Sequence, residues 1–324
     1  MNSVKSLTKR AAIFLLALFV SVGSVGQQAS AASVPKIGST QSQHNILALM
    51  SAYDKDGAYL TKYAMGGDGF YSMLLFSYIN PDDHTIDTLD TVAHESFHEF
   101  SMPTYNNDPQ VNNGEKIYIG NKKSVNVTFT PVFRTKEMAS SVPKRCRTAH
   151  YHYENGDRFS TYVRDVSGNM ISDWYGVYGL LNEFTGYCWG LNSTVSMFDY
   201  RDKYKDTVDT WSSFVLEGES DRLAYIEFKY YILHYMYYAK QHHPSEYRQI
   251  VANDRFRKAY RLIDRRYADE IDQYEAQLEK VNEKMTAAGH PLDMKKLTLR
   301  KQYDTMQKEV KKKQYAQIQK ILTR

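Results

Sequence analysis

Cysteine is scarce in this 324-residue chain, in which Cys146 and Cys188 are the only two. Because the sequence has no C-x-x-C pair, a metal site built from thiolates is not expected. Neither cysteine lies near the N-terminal apolar run, which argues against a lipoprotein. Two readings of the pair stay open: one disulfide, if the protein folds outside the cell, or two buried thiols.

Long hydrophobic runs are also missing, apart from one near the N-terminus. Three basic residues precede an apolar stretch at 11–22, and an A-x-A sequence follows at 29–31. This order is typical of a secretory signal peptide, and the apolar stretch is too short to span a bilayer comfortably. We therefore expect residues 1–31 to be a signal peptide and the mature protein to be secreted by a bacterium, into the medium or onto its cell wall.

The pentad His94-Glu95-Ser96-Phe97-His98 carries the most specific chemistry in the sequence. Residues four apart on a helix lie on one face, so the imidazoles of His94 and His98 can bind one ion. Zinc suits this pair, because it accepts neutral imidazole and keeps a position for water beside three protein ligands. Glu95, about 100° round the helix from His94, can reach that water and act as general base and later as acid.

The residues around the pentad predict a helix. Apolar side chains recur there at helical spacing: Ile86, Leu89, Val92, Ala93, Phe97 and Phe100. Two histidines and a glutamate on a helix that is otherwise buried would be costly without partners. The alternative to a metal site is a hydrogen-bonded polar network in the core.

The segment 91–100 resembles the active-site helix of the zincin metallopeptidases. Thr91, Val92 and Phe100 are of the types that this family places around the two histidines, whereas Glu99 stands where the family usually has an uncharged residue. The glycine and third histidine of the metzincin branch are absent. The resemblance implies zinc bound by His94 and His98, with Glu95 as catalytic base, on a zincin-like mixed sheet with helices.

A third ligand is implied by the gluzincin branch, which supplies a glutamate from a later helix, commonly next to an asparagine. Leu180–Tyr187 contains the pair Asn182-Glu183 and resembles that helix, so Glu183 is the expected ligand. Asp173 is an alternative, since its surroundings are one residue short of the Asp-x-x-Tyr-Gly pattern of the aspzincins. Three further carboxylates stay open as the ligand: Glu217, Glu219 and Glu227.

A second electrophile usually helps such enzymes to stabilise the oxyanion. The candidates near the expected ligands are His150, His152, Tyr175 and Tyr178. With 27 tyrosines in the chain, spacing alone does not select one of them.

Turn sequences suggest how the rest of the N-terminal part is organised. Asp54–Gly57 predicts a turn between short aromatic strands. Gly120-Asn121 predicts a hairpin that joins Lys116–Ile119 to Val125–Phe133. A second hairpin is predicted at 155–157, with Arg158–Val163 as its second strand.

From residue 216 onwards the sequence predicts helices. An apolar stripe from Phe256 to Ala288 alternates spacings of three and four, and Gly289-His290-Pro291 separates it from a second helix. The result is a helical hairpin whose last thirty residues, 295–324, hold ten Lys/Arg and two Asp/Glu. This basic segment is expected either to bind anionic cell-wall polymers or a membrane surface, or to be a solvated face. Nucleic acid is not an expected partner outside the cell.

We predict an α+β fold with a zincin-like catalytic domain at 32–215 and a mostly helical region at 216–324. The resemblance implies a secreted zinc peptidase that hydrolyses peptides or proteins, although fold analogy alone does not establish activity. Two alternatives stay open. One is a zinc-containing but inactive protein that binds the cell surface or a wall polymer, and the other is a metal-dependent amidase acting on cell-wall peptides.

Overall fold

The computed structural model describes residues 40–64, 86–102, 113–147, 158–164, 171–293 and 298–324. Within these ranges the protein is α+β, mainly helical with one antiparallel pair of strands. The expected signal peptide at 1–31, the turn at 155–157, His150 and His152 lie outside the described residues.

Twelve α-helices and two strands make up the described part of the chain. The helices are α1 (Thr40–Tyr53), α2 (Lys55–Ala64), α3 (Leu89–Ser101), α4 (Thr135–Met138), α5 (Ile171–Trp174), α6 (Val177–Ser196), α7 (Phe198–Tyr204), α8 (Val208–His242), α9 (Pro244–Ala252), α10 (Asp254–Ala287), α11 (Thr298–Val310) and α12 (Lys313–Leu322). The strands are β1 (Gly114–Gly120) and β2 (Lys123–Thr128). Single 3-10 turns lie at Ile86–Thr88, Ala139–Ser141 and Lys144–Cys146, and a π-helical turn lies at Ser160–Arg164.

Helix α6 lies at the centre of the core, with α3, α8 and α10 packed around it. Nearly all of its residues are buried, polar ones included. Gly176 precedes the helix with a φ of 52°. The absence of a side chain there leaves room for the Tyr235 hydroxyl, with which a Cβ would clash. A helix surrounded in this way has no solvent face, so its polar side chains need partners inside the protein.

The helix predicted around the pentad is confirmed as α3. It follows the 3-10 turn Ile86–Thr88 and buries Val92, Ala93, Phe97 and Phe100. These residues pack on α2, α6 and β1, so that the remaining face of α3 turns its histidines towards α6.

The predicted hairpin at 120–121 is also confirmed. Asn121 and Lys122 form its two-residue turn with φ values of 52° and 58°, as the turns that suit the twist of paired strands require. Ile117 lies opposite Val125, and both are buried. Strand β2 ends at Thr128, five residues before the predicted end.

Two predicted strand regions are wrong. Residues 158–164 are helical, because Phe159 and Val163, four apart, are buried on one side. The residues flanking Asp54 form α1 and α2, since Met50, Ala58, Leu60 and Ala64 are buried at helical spacing. Asp54 itself does separate the two helices.

The helices predicted after residue 216 are confirmed, with a further helix, α12, after α11. All stripe residues from Phe256 to Met285 are buried, whereas Ala288 is exposed. The expected domain boundary between residues 215 and 216 falls inside α8, and the division stays a prediction. Lys311, Lys313 and Lys320 are exposed; their binding of anionic polymers also stays a prediction.

The described residues also test what was expected of the two cysteines and of membrane-spanning helices. Cys146 and Cys188 are both buried and free, which corresponds to the second reading of the pair. Each described helix is too short or too polar to cross a bilayer.

Candidate metal centre

His94, His98 and Glu183 meet between α3 and α6. The Nε2 atoms of the two imidazoles are 2.9 Å apart, and they lie 3.7 Å and 3.6 Å from Glu183 Oε2. In the described part of the chain these three residues form the one group of His, Cys, Asp and Glu side chains whose ligand atoms converge in this way. The expected third ligand is therefore the carboxylate that the fold brings to the two histidines.

The triangle of donor atoms fits a zinc ion. A triangle with edges of 2.9, 3.6 and 3.7 Å has a circumscribed circle of about 2.0 Å radius, close to the usual zinc–nitrogen and zinc–oxygen distances. Two imidazoles and one carboxylate are also the donor set of catalytic zinc sites with an open fourth position. The residues present thus match the metal in chemistry as well as in spacing.

Asn182 determines which nitrogen of His98 is free to bind. Its Oδ1 lies 2.6 Å from His98 Nδ1. Because an amide oxygen only accepts hydrogen bonds, Nδ1 carries the proton and donates it. The lone pair of neutral His98 is then on Nε2, the atom that faces His94 and Glu183.

The Asn182 amide is itself held on its nitrogen side. Nδ2 donates to Ser101 Oγ at 2.9 Å and to Glu115 Oε2 at 2.7 Å. All three side chains are buried, and burial raises the pKa of Glu115 to about 8. The orientation of the amide therefore follows from contacts with α3 and β1.

Gly186 lets the imidazole of His94 lie directly on α6. A Cβ at this position would be 2.9 Å from His94 Nε2 and 3.1 Å from two carbons of the ring. Tyr187, the next residue, meets the same ring edge-on, with centroids 4.5 Å apart. His94 is thus packed between the helix backbone and an aromatic ring, which restricts its rotation.

Without a metal, the charges of the cluster favour an ion pair. Burial opposes the charged form of His98, but the Glu183 carboxylate outweighs it and raises the pKa of His98 to about 9. Burial likewise opposes ionisation of Glu183, but His98 and His94 outweigh it and lower the pKa of Glu183 to about 2. A proton therefore occupies the same nitrogen that a metal would bind.

The four alternative carboxylates are each paired with an arginine elsewhere. Asp173 accepts from Arg134, whose Nε lies 2.6 Å from Oδ2. The other three contacts are Glu217 with Arg201 at 2.8 Å, Glu219 with Arg300 at 2.6 Å and Glu227 with Arg158 at 2.8 Å. Guanidinium groups already neutralise these carboxylates, and none of the four belongs to the ligand group.

Glu95 lies beside the cluster without joining it. Its negative charge contributes to the raised pKa values of His98 and Tyr162, which places it near both. Glu95 is partly exposed, and it is not among the converging ligands. This is a suitable position for a group that exchanges protons with water.

One side of the site, which we call its aromatic side, consists of Tyr162 and Tyr187 and was not predicted from the sequence. The hydroxyls of Tyr162 and Tyr187 are 3.2 Å apart, and the Arg158 guanidinium lies over the Tyr187 ring at 4.5 Å. Burial, Tyr187, and the charges of Glu183 and Glu95 raise the pKa of the Tyr162 hydroxyl, which stays a donor at neutral pH. No spacing rule links residue 162 to the pentad. The sequence also predicted a strand at 158–163, which gave no reason to place Tyr162 near the ligands.

Tyr178, a predicted electrophile, is held elsewhere. Its hydroxyl contacts Thr130 Oγ1 at 2.7 Å and Asn253 Nδ2 at 3.0 Å, which links α6 to the start of α10. Tyr175 is buried with its ring against Phe129, 4.9 Å between centroids. The role of either tyrosine as the electrophile stays a prediction.

Comparisons with family models, with curated proteins and with solved structures gave no match. The functional inference therefore depends on the geometry of the site and on the motif.

Proposed function

We propose that this protein is a zinc-dependent peptidase of the zincin type, with His94, His98 and Glu183 as the metal ligands. The observation that carries the proposal is the convergence of three donor atoms, 2.9 to 3.7 Å apart, from the pentad on α3 and from Glu183 on α6. The tautomer that Asn182 imposes on His98 also supports it, because the lone pair faces the other two donors. The proposal does not require a fold identical to known zincins.

When bound, zinc supplies a Lewis acid that polarises a carbonyl oxygen and makes water more acidic. The chain itself supplies the proton transfers. The carboxylate of Glu95 accepts a proton from the attacking water and returns it to the nitrogen of the leaving amine. Tyr162 offers a hydroxyl donor on the aromatic side of the site, where it is held next to Tyr187.

The proposal is tested by metal content and hydrolysis together. We expect one zinc per chain, removed by a chelator and absent from the His94→Ala/His98→Ala double variant. Glu95→Gln should keep the zinc, because Glu95 is not a ligand, and should lose hydrolysis of any peptide that the wild type cleaves, by at least about 100-fold. Glu279→Gln, an exposed position on α10, is the matched control and should retain both.

Zinc retained at full stoichiometry in the double variant would refute the site. Equal hydrolysis by wild type and Glu95→Gln would refute the role of Glu95. Zinc binding without hydrolysis of any unfolded protein or wall peptide favours the inactive binding protein. Cleavage of wall peptides alone favours the amidase.

A further inference from the structure

Glu115 is a buried carboxyl group that the proposed reaction does not use. It lies on β1 with 5% of its surface exposed. One oxygen, Oε2, accepts from Asn182 Nδ2 at 2.7 Å, and the other, Oε1, is buried without a hydrogen-bond partner among the described residues. A half-satisfied buried carboxyl group costs stability. Its presence is explained if the contact with Asn182 has a function.

We infer that Glu115 is a positioning residue for the metal centre, which holds the Asn182 amide so that its oxygen faces His98. The inference depends on the proposed metal centre and adds to it a residue from the β-hairpin. Glu115 is not one of the converging ligands, and its hydrogen bond towards them is the one from Asn182. The charge of His98 also acts on Glu115 directly, which is why the test below includes the tautomer of His98 as well as zinc affinity.

The orientation of the amide matters because its two ends impose opposite tautomers on His98. With Oδ1 towards the ring, Nδ1 carries the proton and Nε2 has the lone pair. With the amide turned by 180°, Nδ2 would donate to Nδ1, and the proton of neutral His98 would be on Nε2. That tautomer presents no lone pair to the metal, so the orientation controls affinity.

Two groups hold the nitrogen end of the amide, and they are not equivalent. Ser101 Oγ is a hydroxyl, which can donate as well as accept, so it tolerates either orientation. Glu115 presents an acceptor oxygen from β1, an element separate from those that carry the ligands. Burial raises the pKa of Glu115 to about 8. Because Oε2 accepts from Asn182, a proton on the neutral carboxyl group lies on Oε1, and the amide oxygen of a glutamine can take the place of Oε2.

The experiment compares zinc affinity in two variants of the full chain by competition with a chromophoric chelator. Glu115→Met keeps the side-chain length but removes the acceptor, and should weaken zinc binding by about 10-fold or more. Glu115→Gln keeps an acceptor oxygen and should remain within about threefold of the wild type. Glu270→Met, at a carboxylate of similar burial that contacts Arg266, is the control for a generic packing effect and should leave affinity unchanged.

A second measurement uses the wild type alone, so it stands if Glu115→Met does not fold. In the zinc-loaded protein, long-range proton–nitrogen spectra should identify Nε2 of His98 as the coordinating atom. Coordination through Nδ1, or zinc affinity of Glu115→Met equal to that of the wild type, would overturn the inference and leave the metal site intact. Zinc-binding failure in the wild type would overturn both, whereas zinc binding without hydrolysis would affect the proposed activity alone.

Discussion

Glu183 and Glu227 are both buried glutamates on core helices, and their partners differ. Glu227, on α8, accepts from the Arg158 guanidinium at 2.8 Å and is fully buried. Glu183, on α6, has two imidazoles as its ion-pair partners among the described residues, at 3.6 and 3.7 Å. An arginine is charged at every pH that a protein encounters, whereas an imidazole can lose its proton.

This difference separates a structural ion pair from a metal site. At Glu227 the countercharge is a permanent part of the protein, and exchange for a metal ion is excluded. At Glu183 the countercharge is a proton on a histidine, which a divalent ion can displace. Asp173, Glu217 and Glu219 belong with Glu227, since each has an arginine partner.

Substitution of the two kinds of carboxylate by alanine should separate them most clearly. Glu183→Ala leaves two imidazoles to hold the metal, so zinc affinity should fall by about 100-fold or more. Asp173→Ala and Glu227→Ala should keep zinc affinity near the wild-type value, as long as the protein folds. Metal content of the purified variants, with circular dichroism as the folding control, gives the answer.

The opposite pattern would assign the ligand differently. Loss of zinc in Asp173→Ala but not in Glu183→Ala would place the protein nearer the aspzincins and would contradict the geometry described above.

The ion pair between Arg158 and Glu227 should contribute to the stability of the fold. Glu227→Ala leaves the buried guanidinium of Arg158 without its carboxylate, and breaking such a pair costs about 3–5 kcal/mol. Asp202→Ala removes an exposed partner of Lys284 and should cost less than about 1 kcal/mol. Urea unfolding of the metal-free proteins measures both. An equal loss of unfolding free energy in the two variants would show that the buried pair of Arg158 and Glu227 stabilises the protein no more than an exposed one.

Two buried histidines extend the comparison to pH. His98 faces a carboxylate, and its pKa is raised to about 9. His234 instead lies between hydroxyls, with Ser141 Oγ 2.8 Å from Nε2 and Tyr315 Oη 2.8 Å from Nδ1. Burial lowers the pKa of His234 to about 4, which the nearby charge of Glu309 only partly opposes.

His234 should therefore destabilise the protein in acid. The unfolded chain takes up this proton near pH 6.5 and the folded chain near pH 4, so the contribution is complete above 6.5 and is lost as the pH falls towards 4. The loss amounts to roughly 3 kcal/mol. We expect the unfolding free energy of His234→Gln, measured in urea, to change less across this range than that of the wild type. Parallel curves would contradict the prediction.

Sequence patterns were sufficient for the elements that carry the ligands. The period of the apolar residues around the pentad reflects the buried face of α3, which local sequence records. Helix α6 is buried nearly all round, and its apolar residues around Asn182-Glu183 were still sufficient to predict a helix. The hairpin at 120–122 was found because its turn requires positive φ values. The long stripe on α10 was found for the same reason as the ligand helices.

Other parts of the site depend on contacts that have no local pattern. Arg158 meets Glu227, 69 residues away, and Glu115 meets Asn182, 67 residues away. Such pairs follow from how helices pack and not from the order of residues nearby. For that reason the sequence left four carboxylates open as the third ligand, although the fold gives each of them an arginine.

The smallest effect is expected from a methyl group placed between the ligand helices. Gly186→Ala would bring a Cβ to 2.9 Å from His94 Nε2, and the flexible end of that side chain is what must move. Zinc affinity should fall by about 10-fold, because the displaced atom is a ligand. The free energy of unfolding should change by less than about 1 kcal/mol, since alanine is favoured over glycine inside a helix by a similar amount.

Gly190→Ala is the matched control, one turn further along α6. Its Cβ would meet Asp221 Oδ2 at 3.1 Å and the Asp90 carbonyl at 3.4 Å, and no ligand atom lies among its nearest neighbours. Chelator competition should thus show wild-type zinc affinity for Gly190→Ala and weakened binding for Gly186→Ala. Equal affinities in the two variants would mean that the contact between α6 and the His94 ring does not determine the geometry of the metal site. The packing of α3 on α6 would then not constrain the position of His94.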